Sequence, residues 1–432
     1  MKKSYVVVGN GVAGASAVLA IRARDATGTI ALVSDESDHF FARTALMYAF
    51  MDKLPRRAME PYERHSWRER GIDLVRARVT DLDASRHRLT LGDDRTLPYD
   101  RLLLATGSRA RRLDVPGVTD DLAGLVHFVT LADLDACEKY TPTTKRAVVV
   151  GGGLIGIELV ECLRFHGVAV TFLVREPWYW PAALSHEEAA MAALEMRRHG
   201  VDVREGAAVA TVARDANGRV AAVTTTAGET IACEMLGVCI GVEPQVQWLR
   251  GVKTPPTIGR GVMVDATLRT SLEDVWAAGD CAELPDGRVE SIWYSAKRQG
   301  TLAGENMSGR PKGYATPVFF NSAKLFELEY TTVGALTDVE DGAESLYATH
   351  PTRSLSWRIV HAGDKVLGFN ALGSRWDHTV LTRWIEEERP LDWVRTNLRA
   401  AQFDVELGRA PLHEMTARAM RVQRKGASAE GV

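Results

Sequence analysis

Hydrophobic positions in this chain gather into short unbroken runs that stop at glycine. The first, Tyr5 to Val8, runs into Gly9, Gly11 and Gly14 (YVVVGNGVAG), after which residues 15–24 carry a helical pattern. The second, inside RAVVVGGGLIGIE at residues 146–158, ends at Gly151, Gly153 and Gly156. An apolar run bounded by glycine predicts a strand buried on both faces, as in a parallel sheet covered by helices. Similar runs lie at residues 29–34 (TIALVS), 101–105 (RLLLA) and 169–174 (AVTFLV), with a helical pattern at 187–199. Together they predict an α/β chain with two Rossmann-like dinucleotide-binding domains. Residues 60–100 and the stretch from VDVREG to GVCIG instead alternate short strands with polar turns. The C-terminal region has strand patterns at 326–333, 355–361 and 366–371, then helical ones at 378–388 and 391–397, and predicts an α+β domain. In the tail, Leu412, Met415, Ala419 and Val422 share one helical face, with Arg418, Arg421, Arg424 and Lys425 elsewhere. That spacing predicts an amphipathic terminal helix with a frayed end from 426, a membrane-surface helix being the alternative.

Each glycine of the two turns has its own task. Gly9 and Gly151 allow the tight strand-to-helix turn, Gly11 and Gly153 let backbone approach a pyrophosphate, and Gly14 and Gly156 let helix and strand pack closely. The helix N-terminus then faces the phosphates, and Ala13 and Ile155 lie in the same turns. Two copies imply two nucleotides. The strand at 29–34 ends at Asp35 and Glu36, about twenty residues beyond the first glycines, where a carboxylate would bind ribose hydroxyls. Asp35 is the choice and Glu36 its rival.

A net charge of −3 provides no electrostatic footprint for nucleic acid, and no apolar run is long enough to span a bilayer. Met1-Lys2-Lys3 leads directly into the first strand, which argues against a secretory leader and for the cytoplasm. Cys137, Cys162, Cys233, Cys239 and Cys281 form no C-x-x-C pair and no metal-ligand cluster, so they read as buried small hydrophobes and no metal is expected. Trp357, Trp376, Trp384 and Trp393 read as core residues in preference to a docking surface.

Two further segments carry a resemblance. RLLLATGSR places Ala105, Thr106 and Gly107 at the end of an apolar strand, and TSLEDVWAAGDCA places Gly279 and Asp280 after another. With the two glycine turns and in this order, they make residues 4–310 resemble the FAD-dependent pyridine-nucleotide disulfide oxidoreductase superfamily. The likeness is closest to the ferredoxin, rubredoxin and nitrite reductase flavoproteins and to apoptosis-inducing factor, which lack a redox disulfide. FFARTALMY resembles their Y-x-R-P-x-L-S-K segment, with Arg43 at the arginine that contacts FAD and Tyr48 where a lysine is usual. IWYSAKRQG resembles their W-x-x-A-x-x-Q-G helix and puts Trp293 near the flavin. NSAKLFELEYTTVGAL is similar to the start of their C-terminal interface domain.

The resemblance implies an FAD domain at 1–112 and 244–314, interrupted by an NAD(P) domain at 113–243 and followed by a C-terminal domain at 315–432. It also implies hydride transfer from NAD(P)H to FAD, then electron transfer to an iron–sulfur protein of ferredoxin type. The alternatives are quinone or dioxygen as acceptor, or a redox-switched flavoprotein binding module; a homodimer is left open. Asp280 would bind the FAD ribityl chain, and Gly241 lies in the segment returning to the FAD domain. Glu158 falls where relatives keep a glutamate near the nicotinamide, and the Tyr48 hydroxyl is the expected donor to it. NAD-specific members end the strand at 169–174 with a glutamate where this chain has Val174, while Arg175 stands where NADP-dependent relatives place an arginine. The reading leans to NADPH with NADH accepted; Glu176 as the reader of an NADH ribose is the alternative.

Overall fold

Ser4–Val8 is the middle strand of a five-stranded parallel sheet in the order Val275–Ala277, Arg101–Leu104, Ser4–Val8, Thr29–Ser34, Ile72–Arg76. Tyr5, Val6 and Val7 are buried because a central parallel strand is covered on both faces. The helix Val12–Arg24 packs on Trp293–Ser308 so closely that a Cβ on Gly300 or Gly304 would overlap the carbonyl oxygens of Ala13 or Ala17. An antiparallel meander, Val79–Asp83, Arg88–Leu91 and Thr96–Pro98, completes this part. The computed structural model describes residues 2–337, 339, 341–403, 412 and 415–422. They fall into two units, the first comprising Met1–Arg111, His127–Cys137 and Gly241–Ala315.

The second unit comprises Arg112–Val126, Glu138–Ile240 and Thr316–Val432. Its parallel sheet repeats the first, in the order Asp202–Glu205, Ala169–Val174, Arg146–Val150, Met235–Val238, Leu125–Val126. The same unit holds a six-stranded antiparallel sheet, ordered Phe320–Leu325, Leu328–Gly334, Lys365–Leu372, Ser356–Ala362, Glu344–Thr349, Thr416–Arg421. Period-two alternation makes its faces unlike. Val333, Ile359, Phe369 and Ala371 share a core with Leu381 and Trp384 of the helix His378–Glu386. On the other face, Thr332, Asn370, Arg358 and Tyr347 form one cross-strand row of buried residues.

The tail departs from expectation. Residues Thr416–Arg421 are an edge strand paired with Glu344–Thr349, not part of a helix. Pairing along a sheet edge gives six consecutive residues a cross-strand partner at once, and that outweighs a four-residue helical spacing in a short segment. Leu412 and Met415 still pack on the core; the expected frayed end lies outside the described residues. Trp357, Trp376 and Trp384 are buried, whereas Trp393 is 38% exposed. Among the described residues no helix is long and apolar enough to cross a membrane.

Candidate functional site

In the first unit the three separated motifs meet at one end of the sheet. Gly9 adopts φ +112°, open to glycine and strained for other residues, and its missing Cβ leaves room for the Ala105 carbonyl. Gly14 in turn leaves room for the Gly9 carbonyl, so helix and strand close on each other. Gly11 differs: a Cβ there would meet nothing within 4 Å, and the same holds at Gly107. Gly279 brings its turn against Ala13 and Ala296, and the Ser108 hydroxyl donates to Asp280 Oδ2 at 2.7 Å. Burial pushes the Asp280 carboxyl up, while the Ser108 hydrogen bond and the Arg43 charge oppose that. Thr106 Oγ1 donates to the Gln245 carbonyl at 2.9 Å, and the Gln245 N–H donates to the Gly107 carbonyl at 2.9 Å, fixing the turn after the strand.

The open space over Gly11 and Gly107, the helix N-terminus behind it and the polar atoms around it fit FAD. Asn10 Oδ1 and Trp293 Nε1 are buried without a hydrogen-bond partner among the described residues, as expected of groups that a ligand completes.

The two acids after Thr29–Ser34 part company. Glu36 is gripped by Arg43 Nη1 and Nη2, and its Oε1 accepts from the Leu131 N–H at 3.2 Å, in the first turn of the helix Leu131–Tyr140. Arg43 also donates to the Val129 carbonyl at 3.0 Å. Asp35 faces solvent, with Arg78 Nε at 4.0 Å. Tyr48, on the short helix Leu46–Phe50, is 43% exposed.

The second unit rebuilds the turn. Gly151 adopts φ +117° and leaves room for the Cys239 carbonyl, Gly156 for that of Gly151, and Gly153 is open to 4 Å. Ile155 lies in the first turn of the helix Leu154–Phe165. Val174 is buried and would touch a Cβ on Gly152, so the strand's last side chain packs under the turn and the next two residues lie beyond it. Arg175, its side chain 79% exposed, donates to Glu176 Oε1 at 2.8 Å. Gly241, with φ +100°, belongs to the first unit, where its carbonyl accepts from the Arg111 N–H at 3.0 Å.

Glu158, on Leu154–Phe165, belongs to the second unit and Tyr48 to the first. Burial, with Glu161 nearby, pushes the Glu158 carboxyl up to about 7. The folded chain therefore keeps this proton over a window in which the unfolded chain has lost it. Stability should fall as pH rises from the ordinary value of 4.5 to about 7. Glu158→Gln should remove that slope, matching wild type near pH 4 and exceeding it by roughly 3 kcal/mol at about pH 8, read from urea midpoints. Equal slopes in the two proteins would contradict the assignment.

Sequence reading passed over Gln299. It is fully buried; its Oε1 accepts from the Gly279 N–H at 2.9 Å and its Nε2 donates to Glu290 at 3.1 Å, which also accepts from Tyr314 at 2.8 Å. The Q of the W-x-x-A-x-x-Q-G helix was the available signal, since a glutamine beside a tightly packed glycine reads as more than a surface amide.

A model of the pyridine nucleotide-disulphide oxidoreductase family matches residues 3–300. Rhodocoxin reductase of Rhodococcus erythropolis is 29% identical over 422 residues, 94% of this chain and 93% of that protein. The biphenyl dioxygenase system ferredoxin–NAD(+) reductase component of Paraburkholderia xenovorans (strain LB400) is 32% identical over 316 residues, 72% of this chain and 76% of that protein. Among solved structures, the covalent putidaredoxin reductase–putidaredoxin complex has a TM-score of 0.81 at 22% identity, covering 90% of this chain and 94% of that chain, a likeness of fold. With the two glycine turns and the Asp280 turn in place, the chain belongs to the pyridine nucleotide-disulphide oxidoreductase family, as an FAD-dependent NAD(P)H oxidoreductase.

Proposed function

We propose that the chain moves reducing equivalents from NAD(P)H through FAD to an iron–sulfur protein. The observation that carries this is the pair of open glycine turns, at Gly11 and at Gly153, each capped by a helix N-terminus in one chain. The names of the relatives in the ferredoxin reductase group support the acceptor class. FAD, when bound, supplies the hydride and electron chemistry. The protein supplies position. Gly11 and the N-terminus of Val12–Arg24 would hold the pyrophosphate, Asp35 or the Arg43-bound Glu36 the adenosine ribose, and Asp280 the ribityl hydroxyls. Ala105, Thr106 and Gly107 would line the same cleft, and Trp293 would cover it. Gly153 and the N-terminus of Leu154–Phe165 would seat the coenzyme, with Glu158, partly protonated near neutral pH, at the nicotinamide end. The layout proposed is an FAD domain at 1–112 and 244–314, an NAD(P) domain at 113–243 and a C-terminal domain at 315–432. Five buried cysteines, none in a disulfide, suit a reducing compartment such as the cytoplasm.

For the coenzyme we propose NADH as the better donor. The lean to NADPH rests on Arg175, and that guanidinium is engaged by Glu176, which leaves a carboxylate where it would accept from ribose hydroxyls and repel a 2′-phosphate. A relative named as a ferredoxin–NAD(+) reductase component supports the same choice. Anaerobic reduction by NADH and by NADPH, followed by flavin absorbance, tests both levels of the proposal. Bleaching by neither coenzyme would end it. Glu176→Ala should raise the NADH KM by about tenfold, the loss of one charge-assisted hydrogen bond. If instead Arg175→Ala alone impairs NADPH and leaves NADH untouched, Arg175 is the reader.

None of the cysteines falls in the Arg43 to Tyr48 segment, and all five are buried and in no disulfide. No disulfide substrate should be turned over at a useful rate. A thiol that titrates on two-electron reduction would overturn this.

A further inference from the structure

The segment between the strand Ala169–Val174 and the helix His186–Arg198 begins with Arg175 and Glu176, and its far end is tied to the six-stranded sheet of the same unit. At the near end, the Gly206 N–H donates to the Glu176 carbonyl at 2.8 Å. In the middle, Tyr179 is fully buried and Trp180 adopts φ +51°, a conformation that a bulky side chain keeps only where its surroundings over-determine it. Those surroundings come from the sheet. The Trp180 ring lies 5.2 Å from that of Tyr330, and Arg358 Nη2 donates to the Ala183 carbonyl at 3.0 Å. The same guanidinium grips both Glu188 oxygens, at 3.1 and 3.0 Å. Glu188 in turn accepts from the Ser185 N–H at 2.8 Å, and Ser185 caps the helix. Arg358 is 2% exposed and Glu188 fully buried. A buried ion pair adds little net stability over an apolar pair of the same volume, so its effect is to be sought in the geometry it imposes.

We propose that Arg358 is a positioning residue for the coenzyme, acting through Ala183 and Glu188 to hold the segment that presents Glu176. The inference rests on the proposed reading of Glu176 as the ribose partner, and it gives the six-stranded sheet a task in coenzyme binding. When the far end is released, the segment samples more conformations, and the apparent affinity falls by the fraction of time that it is competent. FAD retention should not change, because the FAD residues lie in the other unit.

The test measures NADH KM and kcat of the flavin-loaded protein with ferricyanide as acceptor, together with flavin content and thermal midpoint. The decisive variant is Arg358→Met with Glu188→Met, which removes the pair without stranding a buried charge. It should keep its flavin, hold kcat within about twofold and raise the NADH KM by about tenfold, the pattern of lost ground-state positioning. A flavin-loaded double variant with wild-type KM overturns the proposal. Should that variant fail to fold, Trp180→Gly carries the test, since glycine accepts the positive φ and the ion pair stays intact. It should raise KM in the same way, and a wild-type KM there also overturns the proposal. Glu176→Ala, run alongside, separates the two levels. If it raises KM and the other variants do not, the positioning inference alone fails; if it too leaves KM unchanged, the coenzyme reading is at fault.

Discussion

Asp280→Ala should purify with little flavin, while Asp35→Ala should stay yellow. Asp280 sits in a buried turn beside the helix N-terminus at Ala13, and its Oδ2 already accepts from Ser108 at 2.7 Å. Burial pushes its carboxyl up, so the charged form depends on donors to hold it, and the ribityl hydroxyls would supply the remaining ones. Removing the carboxylate deletes those bonds and strands the Ser108 hydroxyl. A hydrogen bond to a charged group contributes about 1.5–3 kcal/mol, or roughly ten- to a hundredfold in FAD affinity. Asp35 has its side chain 60% exposed with Arg78 at 4.0 Å. Contacts made at so wet a position contribute about 0–1 kcal/mol. The flavin-to-protein absorbance ratio after gel filtration reads the difference, and equal retention in the two variants would contradict the ordering.

Gly153→Val should leave the flavin bound and raise the NAD(P)H KM by about a hundredfold or more, on the scale that misplacing a substrate by about 1 Å costs. Gly153 has φ −106°, which valine tolerates, and an added Cβ meets nothing within 4 Å, so neither the backbone nor the first side-chain atom is strained. The space it fills is where the pyrophosphate would approach the backbone. Two residues earlier the outcome should differ in kind. Gly151→Val meets both a φ of +117° and the Cys239 carbonyl, so it should destabilise the second unit itself. Flavin reduction by NADH at graded concentrations, with a thermal melt on each variant, distinguishes blocked binding from lost folding. A Gly153→Val protein with wild-type KM would remove the coenzyme from this turn.

The parallel sheets were legible because their strands are unbroken apolar runs and their turns are glycine: the strand Thr29–Ser34 and both fingerprint strands lie where the pattern places them. These signals are local. What escaped the sequence is set by partners distant in the chain. Arg358 in a strand and Glu188 in a helix carry no local signal of pairing, and only the fold joins them across 170 positions. The tail strand Thr416–Arg421 exists because Glu344–Thr349 leaves an edge to be filled, and spacing along the tail itself cannot report that. Glu36 and Asp35 are neighbours with the same chemistry; only the arrival of Arg43 and the Leu131 N–H tells them apart. Gln299 was visible as a motif letter, but its bond to the Gly279 N–H depends on two helices packed through Gly300 and Gly304.

In the proposed reaction, reducing equivalents from NAD(P)H leave this protein for an iron–sulfur acceptor. Its most direct test is anaerobic rapid mixing of the NADH-reduced holoprotein with a [2Fe–2S] ferredoxin, a quinone, dioxygen or a disulfide, following flavin reoxidation. The ferredoxin should reoxidise the protein fastest, with the disulfide inert. Faster reoxidation by the quinone or by dioxygen, or a reduced protein that persists with all four, would contradict it.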